Sequence, residues 1–201
     1  WEERGSHVEV VSPVSLIVSA FAPCDVVRET STPQLRTDAG PTVLVLIDLA
    51  GGKRRLGGSI LAQVYNATGN ETPDVGNPTA IRGLYDALAS LRQGRHVLAY
   101  HDRSDGGLFV TLCEMAFAGR AGVIIDADAL CATDDELAAA LFAEELGAVI
   151  QVREADIAVL CPQLEEFAPV IGAVLGQPAA THAQPADGRL PSLRYTVVDR
   201  S

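Results

Sequence analysis

One short segment concentrates groups able to do chemistry: His101-Asp102-Arg103-Ser104-Asp105-Gly106-Gly107-Leu108. It follows an apolar strand pattern, His96 to Tyr100, and precedes a helical pattern marked by Leu108, Leu112, Met115 and Ala116 that ends near Gly119. Two carboxylates and a hydroxyl therefore stand at a strand-to-helix turn. Backbone N–H groups there favour an anion, and Gly106-Gly107 lets a ligand approach the backbone. Asp102 and Asp105 can hold Mg2+, which takes a few hard oxygens together with phosphate oxygens and water. Ser104 can bond a phosphate or a ribose hydroxyl. The plainer reading of the same residues is local: Ser104 or Asp105 caps the helix and Asp102 occupies the turn. A Ser–His hydrolase is not built here, since His101 and Ser104 share one turn and no G-x-S-x-G elbow surrounds them.

A second loop, Gly51-Gly52-Lys53-Arg54-Arg55-Leu56-Gly57-Gly58-Ser59, sets four glycines beside three cations, including the only lysine of the chain. It matches neither a P-loop nor a dinucleotide fingerprint. It can cradle a phosphate, be a solvated glycine turn, or let a helix pack closely on a strand. His7, His96 and His182 show no ligand spacing, and Glu144-Glu145 reads as a solvated helix end. Cys24, Cys113, Cys131 and Cys161 are far apart without a C-x-x-C pair, which predicts reduced, mostly buried thiols rather than a zinc site or disulfide framework. Asn66-Ala67-Thr68 and Asn70-Glu71-Thr72 are read as loop composition.

The elements that must position these residues alternate between strand and helix patterns. Ser15 to Ala22, Thr42 to Leu49, His96 to Tyr100, Val123 to Ile125 and Ala148 to Val152 read as strands, with Tyr195 to Val198 as an edge strand. Asn77 followed by Pro78 predicts a capped helix whose apolar face is Ile81, Leu84, Tyr85, Leu88 and Leu91. Thr133 and Glu136 form a capping-box pattern for a helix through Leu137, Leu141 and Phe142. The fold class expected is α/β (α+β): one mixed-sheet domain with flanking helices over residues 13–201, after an N-terminal extension of residues 1–12.

Of 201 residues, 48% are apolar and 20% charged, which makes a packed domain rather than a disordered tail. Lys and Arg number 15 against 26 acids, a net charge of −11. That acidity disfavours nucleic acid and anionic membrane as partners, so any nucleotide must be held locally with the help of a cation. The uncharged run from Phe167 to Ala186 contains three prolines and two glutamines and cannot be a membrane helix. With no signal core the chain reads as cytoplasmic, and its start at Trp1-Glu2-Glu3 reads as a segment of a longer protein.

The 101–108 segment, continued by Glu114-Met115-Ala116-Phe117-Ala118-Gly119, resembles the late portion of phosphoribosylformylglycinamidine synthase, also called formylglycinamide ribonucleotide amidotransferase. Pro13-Val14-Ser15-Leu16, Thr32-Pro33-Gln34-Leu35, Leu56-Gly57-Gly58-Ser59, Leu61-Ala62-Gln63-Val64-Tyr65 and Glu144-Glu145-Leu146-Gly147-Ala148-Val149 match in the same order, from about Pro13 to Val152. The resemblance implies a purine-biosynthetic ligase that converts formylglycinamide ribonucleotide, glutamine and ATP to the amidine, glutamate, ADP and phosphate. This chain would be the aminoimidazole-ribonucleotide-synthetase-like C-terminal domain of the second synthetase half. Its partners would be the remaining synthetase and glutaminase domains of the parent chain. The family's Mg2+-ligating Asp falls on Asp102 and its adenine-nucleotide-contacting Ser on Ser104. The resemblance also implies that this ATP/ADP site is auxiliary, and it places no catalytic residue in this chain. The isolated segment should therefore be inactive. Two alternatives stand beside this reading: another ATP-using enzyme of the superfamily, or an assembly module without nucleotide contact.

Overall fold

The chain divides into two compact units, residues 1–30 and 31–201. The computed structural model describes residues 2–7, 16–69, 71–125, 130–131, 133, 136–167 and 173–179. In the first unit, β1 (Glu2–Glu3) pairs antiparallel with β2 (Ser6–His7), and a single 3-10 turn covers Val27–Glu29. The strand expected over Ser15 to Ala22 does not form within 16–22. Its apolar side chains are exposed, Phe21 to 95%. A β-branched run becomes a strand only when another edge satisfies its backbone, and no described residue supplies one.

The second unit is built on a five-stranded sheet in the order β4-β6-β3-β7-β5. Its strands are β3 (Thr42–Asp48), β4 (Val97–Asp102), β5 (Gly122–Ile125), β6 (Gly147–Arg153) and β7 (Ala173–Ala179). Every pairing is antiparallel, and flanking helices complete the expected α+β class. The continuous apolar run of β3 follows from burial on both faces. Leu44 and Leu46 join Leu108, Leu112 and Met115 of α3 (Gly107–Gly119), with Ala140 and Leu141 of α4 (Leu137–Phe142). Val43, Val45 and Ile47 join Ala87 and Leu91 of α2 (Pro78–Gln93), with Leu160 and Leu164 of α5 (Ile157–Phe167). The result is a helix–sheet–helix sandwich with two cores.

Gln151 lies buried in β6 because its amide is fully used. Its Oε1 accepts the Arg36 N–H at 2.8 Å, while Nε2 donates to the Arg36 carbonyl at 2.7 Å and to Thr42 Oγ1 at 2.9 Å. A buried polar group is tolerated when each bond is made.

Asn77 caps α2 as the sequence predicts, accepting the Thr79 N–H at 3.0 Å with Pro78 in the first turn. The buried face is rotated from the expected one. Ala80, Gly83, Ala87 and Leu91 are buried, Leu84 and Leu88 pack at the margin, and Ile81 and Tyr85 face solvent. Small residues on the inner side bring α2 close to the sheet, which the periodicity of large residues cannot register. The capping box is also displaced: α4 begins at Leu137 with Glu136 in the cap position and no side-chain cap, and Glu136 instead meets Arg54 at 3.2 Å. Strand β7 falls in the tail where no strand was expected, and its Gly176 and Pro178 hide it in the sequence. The edge strand expected over Tyr195 to Val198 lies outside the described residues.

Candidate functional site

Antiparallel pairing brings the ends of β3 and β4 beside the start of β6: Asp48 pairs with Gly147 and Asp102 with Ala148. Three connections therefore meet at one end of the sheet: the loop after β3, the turn after β4, and residues 143–146 before β6. Arg103 ties them together. Its side chain, 5% exposed, donates to Asp48 Oδ1 at 2.6 Å and to the carbonyls of Glu145 and Leu146. Its own N–H donates to the Gly147 carbonyl at 2.8 Å. Asp48 is 11% exposed, and its second oxygen accepts the Gly52 N–H at 2.8 Å.

A second buried pair lies beside the first. Glu145, 1% exposed, accepts the Arg55 N–H at 2.9 Å and holds the guanidinium through both carboxylate oxygens at 2.8 and 2.7 Å. Burial pushes the Glu145 carboxyl up, but the hydrogen bonds and charge of Arg55, with Arg103 behind, outweigh it and hold the group below its ordinary range. The same contact with Glu145 raises Arg55. Glu145 is thus an ion-pair partner inside the domain, not the solvated helix end that the sequence suggests.

This pairing settles the chemistry of the Gly51–Ser59 loop. Arg55 is spent on Glu145, and Arg54 on Glu136 and the Leu130 carbonyl, which leaves Lys53 as the loop's exposed cation. The Gly57 N–H donates to the Glu71 carbonyl at 2.6 Å, and a Cβ on Gly57 would collide with that same carbonyl. The glycine admits a neighbouring loop rather than a phosphate or a helix. Ser59 caps α1 (Ile60–Val64) through the Ala62 N–H.

Asp102 and Ser104 flank the anchored Arg103, and both are exposed, Asp102 to 69%. His101 stands between acids, its Nε2 2.8 Å from Glu114 Oε2 and its Nδ1 2.8 Å from the Asp102 carbonyl oxygen. Burial first, then the charge of Asp102, pushes the Tyr100 phenol up. No described residue hydrogen-bonds the Ser104 hydroxyl, while the Ser104 carbonyl accepts the Gly107 N–H at 2.9 Å. The backbone is less open than its glycines suggest. The Gly106 N–H is taken by Glu144 Oε1 at 2.8 Å, and Gly107 is packed against the chain at residues 141–143. The turn offers the Asp102 carboxylate, with His101 Nδ1 3.6 Å from its Oδ1, and the Ser104 hydroxyl, while both glycine N–H groups are used within the domain.

A hard carboxylate and a hydroxyl two residues apart suit magnesium and phosphate chemistry. They are a partial set, since no cluster of three or more potential ligands occurs among the described residues. Of the cysteines, Cys24 is exposed, contrary to expectation, Cys113 is half-buried and Cys131 is buried. Burial, then Glu114, pushes the Cys113 thiol up, so it is not an activated nucleophile. No described helix is long and apolar enough to cross a membrane.

The ion pairs make a pH prediction. Because the folded-state pKa of Glu145 is depressed, its contribution is complete above the unfolded value, about 4.3, and is lost as pH falls through the folded one. The stability advantage of the native chain over Glu145→Gln should therefore shrink between about pH 5 and pH 3, as read by urea midpoints. Parallel pH curves would show that the carboxylate is not held by Arg55.

The antiparallel sheet between two helical layers, with a polar strand-to-helix turn at one end, defines an α+β domain. The chain belongs to the family described as AIR synthase related protein, C-terminal domain, which matches residues 40–182. Among solved structures, T. maritima PurL complexed with ATP matches at 17% identity and TM-score 0.58, over 76% of this chain and 24% of that one. T. maritima PurL complexed with FGAR matches at 16% identity and TM-score 0.60, over 76% of this chain and 26% of that one. E. coli HypE, a hydrogenase maturation protein, matches at 19% identity and TM-score 0.52, over 85% of this chain and 54% of that one. The chain spans about a quarter of the length of the PurL structures that it matches. These likenesses share the fold and agree with the resemblance read from the sequence.

Proposed function

We propose that this chain is part of a phosphoribosylformylglycinamidine synthase and that Asp102 and Ser104 form one wall of a magnesium–adenine-nucleotide site completed by other domains. The observation that carries the proposal is the exposure of Asp102 and Ser104 on either side of a buried arginine anchored to Asp48 and two carbonyls. Alternate residues of an extended chain share a face, so anchoring Arg103 inward favours presenting its two neighbours together. The PurL structures complexed with ATP, ADP and FGAR support the ligand class. Bound magnesium would neutralise phosphate charge. Asp102 would supply a carboxylate oxygen to the metal and Ser104 a hydroxyl to the nucleotide. A single acid and hydroxyl are too few to hold a nucleotide tightly, which supports a shared site. On this reading the ligase activity, the remaining synthetase and glutaminase domains as partners, the domain start near Pro13 and a cytoplasmic location belong to the parent protein.

The structural-module reading has one observation in its favour, the internal use of both glycine N–H groups at the turn. Asp102→Ala in the full-length protein separates the two. Loss of co-purifying ADP and magnesium supports the site, whereas unchanged nucleotide content with lowered stability supports the module.

A further inference from the structure

Glu144 bonds to two helix starts at once. Its Oε1 accepts the N–H of Gly106, immediately before α3, at 2.8 Å, and the N–H of Ile60, the first residue of α1, at 2.8 Å. Gly106 has no side chain with which to cap α3. The acceptor comes instead from a residue 38 positions away, whose neighbour Glu145 is fixed by Arg55. A carboxylate suits this place, since helix N-termini carry exposed donors and partial positive charge.

The consequence falls on the turn between them. Arg103 is clamped by Asp48 and two carbonyls at one end, and Gly106 by Glu144 at the other. Ser104 lies inside that span, its carbonyl tied to the Gly107 N–H. Remove the Glu144 carboxylate and the span keeps its Arg103 anchor while losing the Gly106 one. The side chain of Glu144 is half-buried and close to the turn, yet its bonding oxygen is directed to the backbone rather than to solvent chemistry.

We infer that Glu144 is a positioning residue for the nucleotide site. By fixing the Gly106 end of the turn, it sets the spacing at which Asp102 and Ser104 meet magnesium and phosphate. The inference rests on the proposed nucleotide reading and adds to it a residue that makes no contact with the ligand. Small errors in the placement of binding groups weaken binding strongly when the groups are few.

The test uses the full-length protein that contains this chain, with MgADP affinity measured by calorimetry and amide exchange followed over peptides spanning Gly106 and Ile60. Glu144→Ala should weaken MgADP binding about tenfold and speed exchange at both amides. Glu144→Gln keeps an oxygen acceptor and should restore affinity to within about twofold of the native protein. If Glu144→Ala does not fold, Glu144→Asp, one methylene shorter, should still weaken binding at least about threefold. Faster exchange with unchanged MgADP affinity in Glu144→Ala, or native affinity in Glu144→Asp, would overturn the inference while the loss of binding in Asp102→Ala left the nucleotide reading standing. Unchanged affinity in Asp102→Ala would instead remove the reading, and the inference with it.

Discussion

Arg103→Ala is expected to lower the stability of the domain by about 3 kcal/mol, the range found when one member of a buried pair is removed. The arginine is 5% exposed and faces Asp48, itself 11% exposed, at 2.6 Å. Alanine leaves that carboxylate with only the backbone N–H groups of Gly52 and Ala50 and removes the side-chain donor of the Glu145 carbonyl, while the Leu146 carbonyl keeps the Leu49 N–H. Unpaired buried acceptors retain their full desolvation penalty, so the loss exceeds that of an ordinary surface ion pair. The urea midpoint should fall by roughly 1–2 M. Asp48→Asn combined with Arg103→Ala should cost less than the sum of the two single changes, because both remove one interaction. A midpoint shift under about 0.3 M would mean that the network does not hold this end of the sheet.

Gly107→Ala should be comparably severe for a different reason. Gly107 has φ +68, a region that L side chains enter at about 1–2 kcal/mol. A Cβ there would lie 2.7 Å from the Leu141 carbonyl oxygen and 2.8 Å from that of Ala143. These are backbone atoms, so no rotamer change relieves the overlap, and overpacking adds about 1–3 kcal/mol. The melting temperature should fall by roughly 6–12 °C. A change below about 2 °C would show that the contact between α3 and residues 141–143 is loose.

The two substitutions mark where sequence reading succeeds and where it stops. The β3 run declared a strand because Thr42 to Leu49 is a largely apolar, β-branched stretch, and the strand forms there; its cover by helices on both faces is seen only in the structure. Asn77-Pro78 declared a helix start because capping is a property of adjacent residues. The strand-to-helix placement of residues 101–108 was likewise local and legible. Glu145 was not: its partner Arg55 is 90 positions away, and nothing near Glu144-Glu145 distinguishes a buried acid from a solvated one. Arg103 is similar, since Asp48 lies 55 positions distant. The signal lies in charged residues near apolar strand ends, Asp48 ending β3, Arg103 following β4 and Glu145 preceding β6, which an antiparallel sheet brings together. Pairing order, however, is set by the whole sheet, and β7 was itself concealed by glycine and proline. The α2 face was misplaced because small residues pack as well as large ones. The segment over 16–22 failed as a strand because propensity without a partner edge forms no ladder.

The exposed acid and hydroxyl beside Arg103 remain the centre of the account, and direct titration of MgADP into the full-length protein tests them. Asp102→Asn and Ser104→Ala should each weaken binding at least about tenfold, whereas Asp86→Asn, an exposed change on α2, should leave it within about twofold. Equal affinities for all three variants and the native protein would contradict a nucleotide wall at this turn.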